Sequence, residues 1–199
     1  MIGHIFGLLH DPQSEWKKIA GLPDEELKRM TIYFIFLGML PAIGFYIGTT
    51  QFGWTIAGGD PVRITEASAI PLAVLFYIAL MGAVLFIGLM VHRMSKTYSA
   101  ETHAYKGFVF MGLCCTPVFL AGICAAYPIW WLDVVIATAA CSYAIRLIYL
   151  GIPHMMKVPE DLGFLYASAV FAAALVYVVF VLVATVLLWE YVAAPVFTN

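Results

Sequence analysis

Charged positions in this chain are spaced so as to leave long apolar intervals. Residues 30–59, 67–91, 107–132 and 162–189 contain no Asp, Glu, Lys or Arg. Each exceeds the ~20 apolar residues needed to cross a hydrocarbon core. A fifth run, 130–150, carries Asp133 near one end and Arg146 near the other. The pattern predicts five membrane helices at approximately 28–50, 66–92, 100–127, 130–150 and 160–190. Backbone groups in lipid are satisfied only within helices or closed barrels. Barrel strands are turned after roughly ten residues, which these uninterrupted runs are not. The predicted fold class is an all-α integral membrane protein, a five-transmembrane-helix bundle over 28–190. An interfacial segment, 1–27, precedes it, and a short outer tail, 191–199, follows.

Polar punctuation sets the helix ends. In LPDEELKRM, Pro23 opens a helix whose first turn holds Asp24, Glu25 and Glu26, favourable to the helix dipole. Pro159, Glu160 and Asp161 repeat the device before the last span. Ser99 is the expected cap of the third span. AGGDP (57–61) reads as a turn and GIPHMMKVP (151–159) as a loop. Ahead of the spans, Ile2, Ile5, Phe6 and Leu9 recur at helical spacing, as in an amphipathic helix lying on a membrane surface. Asp11 caps a second turn opened by Pro12, with Trp16 and Ile19 on its apolar side. This segment docks on the bundle or lipid, or else meets a partner protein.

Composition supports the membrane reading. Of 199 residues, 63% are hydrophobic and 11% charged, and the mean hydropathy is +0.94. A soluble domain has about 45–50% apolar and about 25% charged residues. A net charge of −2, without a block of like charges, gives no nucleic-acid arm. The N-terminal 30 residues lack the apolar core of a secretory signal. The basic residues then set the orientation. Lys17, Lys18, Lys28, Arg29, Arg93, Lys96, Lys106, Arg146 and Lys157 fall on one side of the five spans, and Arg63 alone on the other. By the positive-inside rule the N-terminus is cytoplasmic and the C-terminus outside. Trp54, Trp130, Trp131 and Trp189 mark the outer interface.

Candidate chemistry is sparse. There is no nucleophile elbow, phosphate loop or HExxH helix, and no CxxC pair. Cys114, Cys115 and Cys141 are expected at similar depth, either as soft copper or zinc ligands or as small packing residues. Pro117, after Thr116, is positioned to kink its helix. His4, His10, His92, His103 and His154 all fall on the cytoplasmic side. With Asp11, Glu101, Glu160 and Asp161 they could bind a cation or sense pH. Arg146 lies ~6 Å before a helix end at Leu150. Either it snorkels to the head groups or it works as a buried charge, with Glu101, Glu160 or Asp161 as its partner. Asp133, ~20 Å away on the same helix, reads as a boundary residue. Gly44 and Gly48 form one GxxxG spacing, a helix-dimerisation signal.

Three segments carry a family resemblance: DPQSEWKKI (11–19), CCTPVFLAGICAAYP (114–128) and YLGIPHMMKVPED (149–161). Together they resemble the bacterial branch of the Yip family, the Ypt-interacting-protein domain of five-span membrane proteins. The resemblance implies a five-helix bundle in a bacterial inner membrane, with a cytosolic N-terminus and periplasmic C-terminus. Eukaryotic relatives are linked to Rab-type GTPases and vesicle traffic through a long cytosolic N-terminal region, which here is only 1–27. No catalytic residue or cofactor carries over. The expected function is a non-enzymatic membrane-organising or interaction scaffold. Its partners are the lipid bilayer and a second copy or another membrane protein. The alternative is a small transporter or channel for an ion, metal or small solute, although five spans offer no obvious inverted repeat.

Overall fold

The computed structural model describes residues 2–55, 59–100, 103–191 and 194–198. It is all-helical apart from one short strand pair. Five helical stretches are long and apolar enough to cross a membrane: Asp24–Phe52, Glu66–Tyr98, Ala104–Ala126, Trp130–Met155 and Glu160–Tyr191. Two short helices precede them, α1 (Ile2–His10) and α2 (Pro12–Ala20). The turn expected at 57–61 falls partly outside the described residues, as does Glu101.

The first span is jointed. α3 (Asp24–Leu37) gives way to α4 (Met39–Ile47) at Gly38, and a wide helical turn, Gly48–Phe52, completes it. Pro41 explains the joint. It has no N–H to offer the carbonyl of Leu37, four residues back. The second span is α5 (Glu66–Met94), with a tight turn at Ser95–Tyr98. Ser99 then takes a left-handed conformation, φ 54°, so it ends the second span rather than capping the third. His103 occupies that N-cap position, ahead of α6 (Ala104–Ala121).

α6 continues as α-helix through Pro117 and tightens into a 3-10 turn at Gly122–Ala126. Thr116 donates to the carbonyl of Gly112 at 3.2 Å. The fourth span, α7 (Trp130–Met155), passes the expected loop start and takes in Pro153 and His154. In a last turn, Pro153 frees only the carbonyl of Tyr149, a local cost. α8 (Glu160–Tyr191) closes the bundle and is its least buried span. At the tryptophan-rich end, β1 (Arg63–Ile64) pairs antiparallel with β2 (Phe197–Thr198), folding the tail back.

Helices in lipid gain little from the hydrophobic effect between them, so close packing and hydrogen bonds decide association. Both are visible. A Cβ on Gly44 or Gly48 would strike the carbonyl oxygens of Gly122 and Ala125 respectively. The GxxxG spacing therefore seats α4 against the 3-10 turn of the same chain and is not left over for a dimer. Tyrosines supply the hydrogen bonds. Tyr77 donates from α5 to Ile35 of α3 at 3.1 Å, and Tyr177 from α8 to Ala79 of α5 at 2.7 Å. Tyr166, fully buried, donates to the carbonyl of Val91. The main apolar core includes Phe34, Val84, Phe110, Leu113, Cys114 and Leu147. Its weight lies toward the end that carries the basic residues.

Candidate functional site

At that basic end the beginnings of α3, α6 and α8 meet the ends of α5 and α7. Lys106 of α6 lies 3.9 Å from the Asp24 carboxylate of α3. Lys28 sits 5.5 Å over the ring of Tyr105, and Tyr105 stacks with His103. Tyr98 stacks on Tyr166 with centroids 4.8 Å apart.

The N-terminal hairpin covers this end. Asp11 caps α2 as the sequence requires, accepting from the Ser14 N–H at 3.3 Å, with Pro12 in the first turn. Periodicity then puts Glu15, Trp16 and Ile19 on one buried face. Trp16 is fully buried and its ring lies 5.2 Å from that of Phe110. A side chain at Gly151 would collide with Trp16 and Phe110 together, so the indole enters the bundle where α7 has no side chain to exclude it. Tyr143 of α7 fastens the hairpin's other helix. Its hydroxyl reaches the carbonyls of Leu8 and Leu9 at 2.8 and 3.1 Å. Phe6, in contrast, is 67% exposed, placed to enter lipid or a partner.

Inside the hairpin, Glu15 is only 6% exposed. One oxygen lies 2.5 Å from His4 Nδ1 and the other 3.0 Å from Lys18 Nζ. Burial pushes the carboxyl up, but the hydrogen bonds and charges of His4 and Lys18 outweigh it, and the net shift is down. A depressed carboxylate stabilises the fold above its unfolded pKa, ~4.3, and loses that contribution as pH falls through the folded value. Acidification below about pH 4.3 is expected to loosen the hairpin. Nitroxide mobility at exposed Gln13 should rise there, and Glu15→Gln should show the higher mobility already at pH 7.

The sequence-derived candidates differ in burial and in partners. Cys114 is buried in the core, Cys115 half-buried and Cys141 exposed, so the three thiols differ in their access to the surroundings. Among the described residues no three His, Cys, Asp or Glu side chains form a group that could hold a metal ion. The histidines form no such group among the described residues either. His4 belongs to the hairpin, and His154 bonds the Leu150 carbonyl of its own helix at 3.1 Å. Glu160 and Asp161 are exposed at the start of α8. Pro117 is buried.

Arg146 is exposed, its guanidinium carbon 5.6 Å from the centre of the Tyr143 ring. Since α7 continues to Met155, the arginine lies ~13 Å from the helix end, twice the distance the sequence suggested. The hairpin makes up the difference. Tyr143, three residues earlier, already touches α1, so Arg146 stands at the level of the surface helices. No carboxylate lies within ion-pair distance of it among the described residues. Arg146→Lys should leave thermal stability in detergent nearly unchanged, because lysine also carries a charge on a long stem. Arg146→Leu should cost ~1 kcal/mol through the lost cation–π contact. A severe loss in the lysine variant, rescued by changing Glu160 or Asp161, would reveal an internal pair.

Sequence reasoning passed over Tyr143, Glu15 and Gly151. A tyrosine in an apolar run does not disclose its acceptor, and a glycine in a helix does not disclose what passes it. The spacing of Glu15 and Trp16 on the Asp11-capped helix was the one available signal.

Comparison with known proteins agrees with this architecture. The Yip1 domain model matches residues 6–183. The protein named inner membrane protein YohC, from Escherichia coli strain K12, is 30% identical over 190 residues, which cover 96% of this chain and 97% of that protein. Its namesake from Escherichia coli O6:H1 matches to the same extent. No solved structure matches the chain. The match spans both the docked hairpin and the membrane helices, and the chain belongs to the Yip1 domain family.

Proposed function

We propose that this protein is a non-enzymatic inner-membrane scaffold whose basic end, with the docked hairpin, lies in the cytoplasm. The family consists generally of non-enzymatic membrane proteins, and the relatives' name places them in an inner membrane. The observation that carries the scaffold reading is the filled centre of the bundle. Phe34, Phe110, Leu113 and Leu147 are fully buried there. Neither Arg146 nor Pro117 lines the cavity beside Asp133 or the aromatic pocket at the opposite end of the bundle. The exposed Phe6 and Leu9 of α1 give the scaffold a surface that meets lipid or another membrane protein.

One feature favours a second reading, a transporter of small solutes. Asp133 lines a cavity of about 190 Å³ among α4, α5, α6 and α7, together with Cys124 and Cys141. Ionisable residues at membrane depth often mark solute paths. Flux assays in proteoliposomes against a panel of metal ions and small solutes separate the two. The scaffold reading expects no saturable flux above protein-free vesicles; saturable flux abolished by Asp133→Asn would replace it with the transporter.

Orientation has its own test. Reporter fusions after Asn199 should be exported and fusions at Lys157 should remain cytoplasmic, given the asymmetry of Lys and Arg. A cytoplasmic C-terminus would contradict this orientation.

A further inference from the structure

The end of the bundle opposite the hairpin holds a pocket of about 380 Å³. Five aromatic residues line it: Phe52, Trp54, Tyr127, Trp130 and Trp131, with prolines between them. Phe52 ends the first span and Trp130 begins the fourth, so the pocket sits where the hydrocarbon gives way to lipid head groups. Its walls are braced. Trp54 and Val62 exchange both backbone hydrogen bonds, at 3.0 and 2.9 Å. Gly53, at φ 72°, lets this hairpin close against Val62 and Arg63. The Trp54 ring stands edge-on to Phe197 of the returning tail, and Phe52 edge-on to Tyr127 at 4.9 Å.

Arg63 is the one basic residue that the spans place at this end, and it stands at the rim. Its Nε donates to the Phe52 carbonyl at 3.5 Å. Exposed Asp60 precedes Pro61, which lines the mouth.

We infer that this pocket binds the head group of a zwitterionic phospholipid from the leaflet opposite the basic end, with the ammonium among the aromatic rings and the phosphate at Arg63. Aromatic clusters attract ammonium groups through the ring quadrupole. A guanidinium is a planar partner for phosphate. The two features adjoin at one rim, as ammonium and phosphate adjoin in such a head group. The lining itself carries no acid or base, so the rings, and not a carboxylate, meet the ammonium. The inference goes beyond the scaffold reading and holds for a transporter equally.

A merely interfacial aromatic belt makes different predictions. The test titrates the detergent-solubilised protein with short-chain phosphatidylethanolamine, short-chain phosphatidylglycerol and free phosphoethanolamine, followed by tryptophan fluorescence. Saturable binding of phosphatidylethanolamine is expected, at least tenfold tighter than phosphatidylglycerol. Arg63→Gln and Trp130→Ala should each weaken it about tenfold, while Arg63→Lys and Trp130→Phe retain most of it. Trp130 and Arg63 are exposed, so these changes leave the core intact, and an unchanged melting temperature checks this. Equal binding of the two lipids, no saturation, or indifference to Arg63→Gln would overturn the site. Binding of free phosphoethanolamine as tight as that of the lipid would overturn the lipid as its occupant.

Discussion

Replacing Gly44 and Gly48 together with alanine is expected to lower the melting temperature of the detergent-solubilised protein by on the order of 10 °C. Each new Cβ would meet a backbone carbonyl, Gly122 from one position and Ala125 from the other. A flexible side chain could swing away; a carbonyl in a tight turn moves only if the turn moves. Overpacking at such a contact costs ~1–3 kcal/mol per site. A chain of this size loses about 2–4 °C for each kcal/mol. The opposing expectation comes from reading GxxxG as a dimer seam. On that reading the variant would keep its melting temperature as a monomer and lose only an oligomer. Thermal scans combined with light scattering distinguish the two outcomes.

Trp16→Ala should release the N-terminal hairpin while leaving the spans assembled. Truncating a buried tryptophan costs ~3–5 kcal/mol, and here the loss falls on a terminal segment. Few elements share the burden: the indole's contacts with Phe110 and Gly151, and the Tyr143 hydrogen bonds to Leu8 and Leu9. The segment can therefore open locally, below the free energy of global unfolding. Proteolysis of such a segment follows its open population. Trypsin cleavage after exposed Lys17 and Lys18 should accelerate on the order of a hundredfold or more. The far-ultraviolet signal of the bundle should change little. Tyr143→Phe, which removes only the hydrogen bonds, should accelerate cleavage about fivefold, from ~1 kcal/mol.

The two variants also mark what the sequence could reveal. Five spans were legible because a charge is costly in hydrocarbon and its absence over a long interval is therefore informative. The Asp11 cap and the buried faces of Trp16 and Ile19 were legible because capping and helical period are local rules. Contacts between distant segments were not. Gly44 and Gly48 announce a close approach without naming the partner, and the spacing fits Gly122–Ala126 as well as a second copy. The end of α7 was misread for a related reason. Gly151 and Pro153 look like a turn locally, yet α2 packs on that stretch and Trp16 uses the gap at Gly151, so tertiary contact keeps it helical. The unequal burial of the cysteines has the same origin. Depth can be counted along a helix, but which way each residue faces depends on how neighbouring helices are turned.

The hairpin is seated inside the basic end of the bundle through Trp16. That seating is tested most directly by placing the photo-crosslinking amino acid p-benzoylphenylalanine at position 16 in native membranes and mapping the products by mass spectrometry. The structure predicts an intramolecular link from residue 16 to peptides containing Phe110 or Gly151, as its dominant product. Links chiefly to lipid or to other proteins, with no product on α6 or α7, would contradict it.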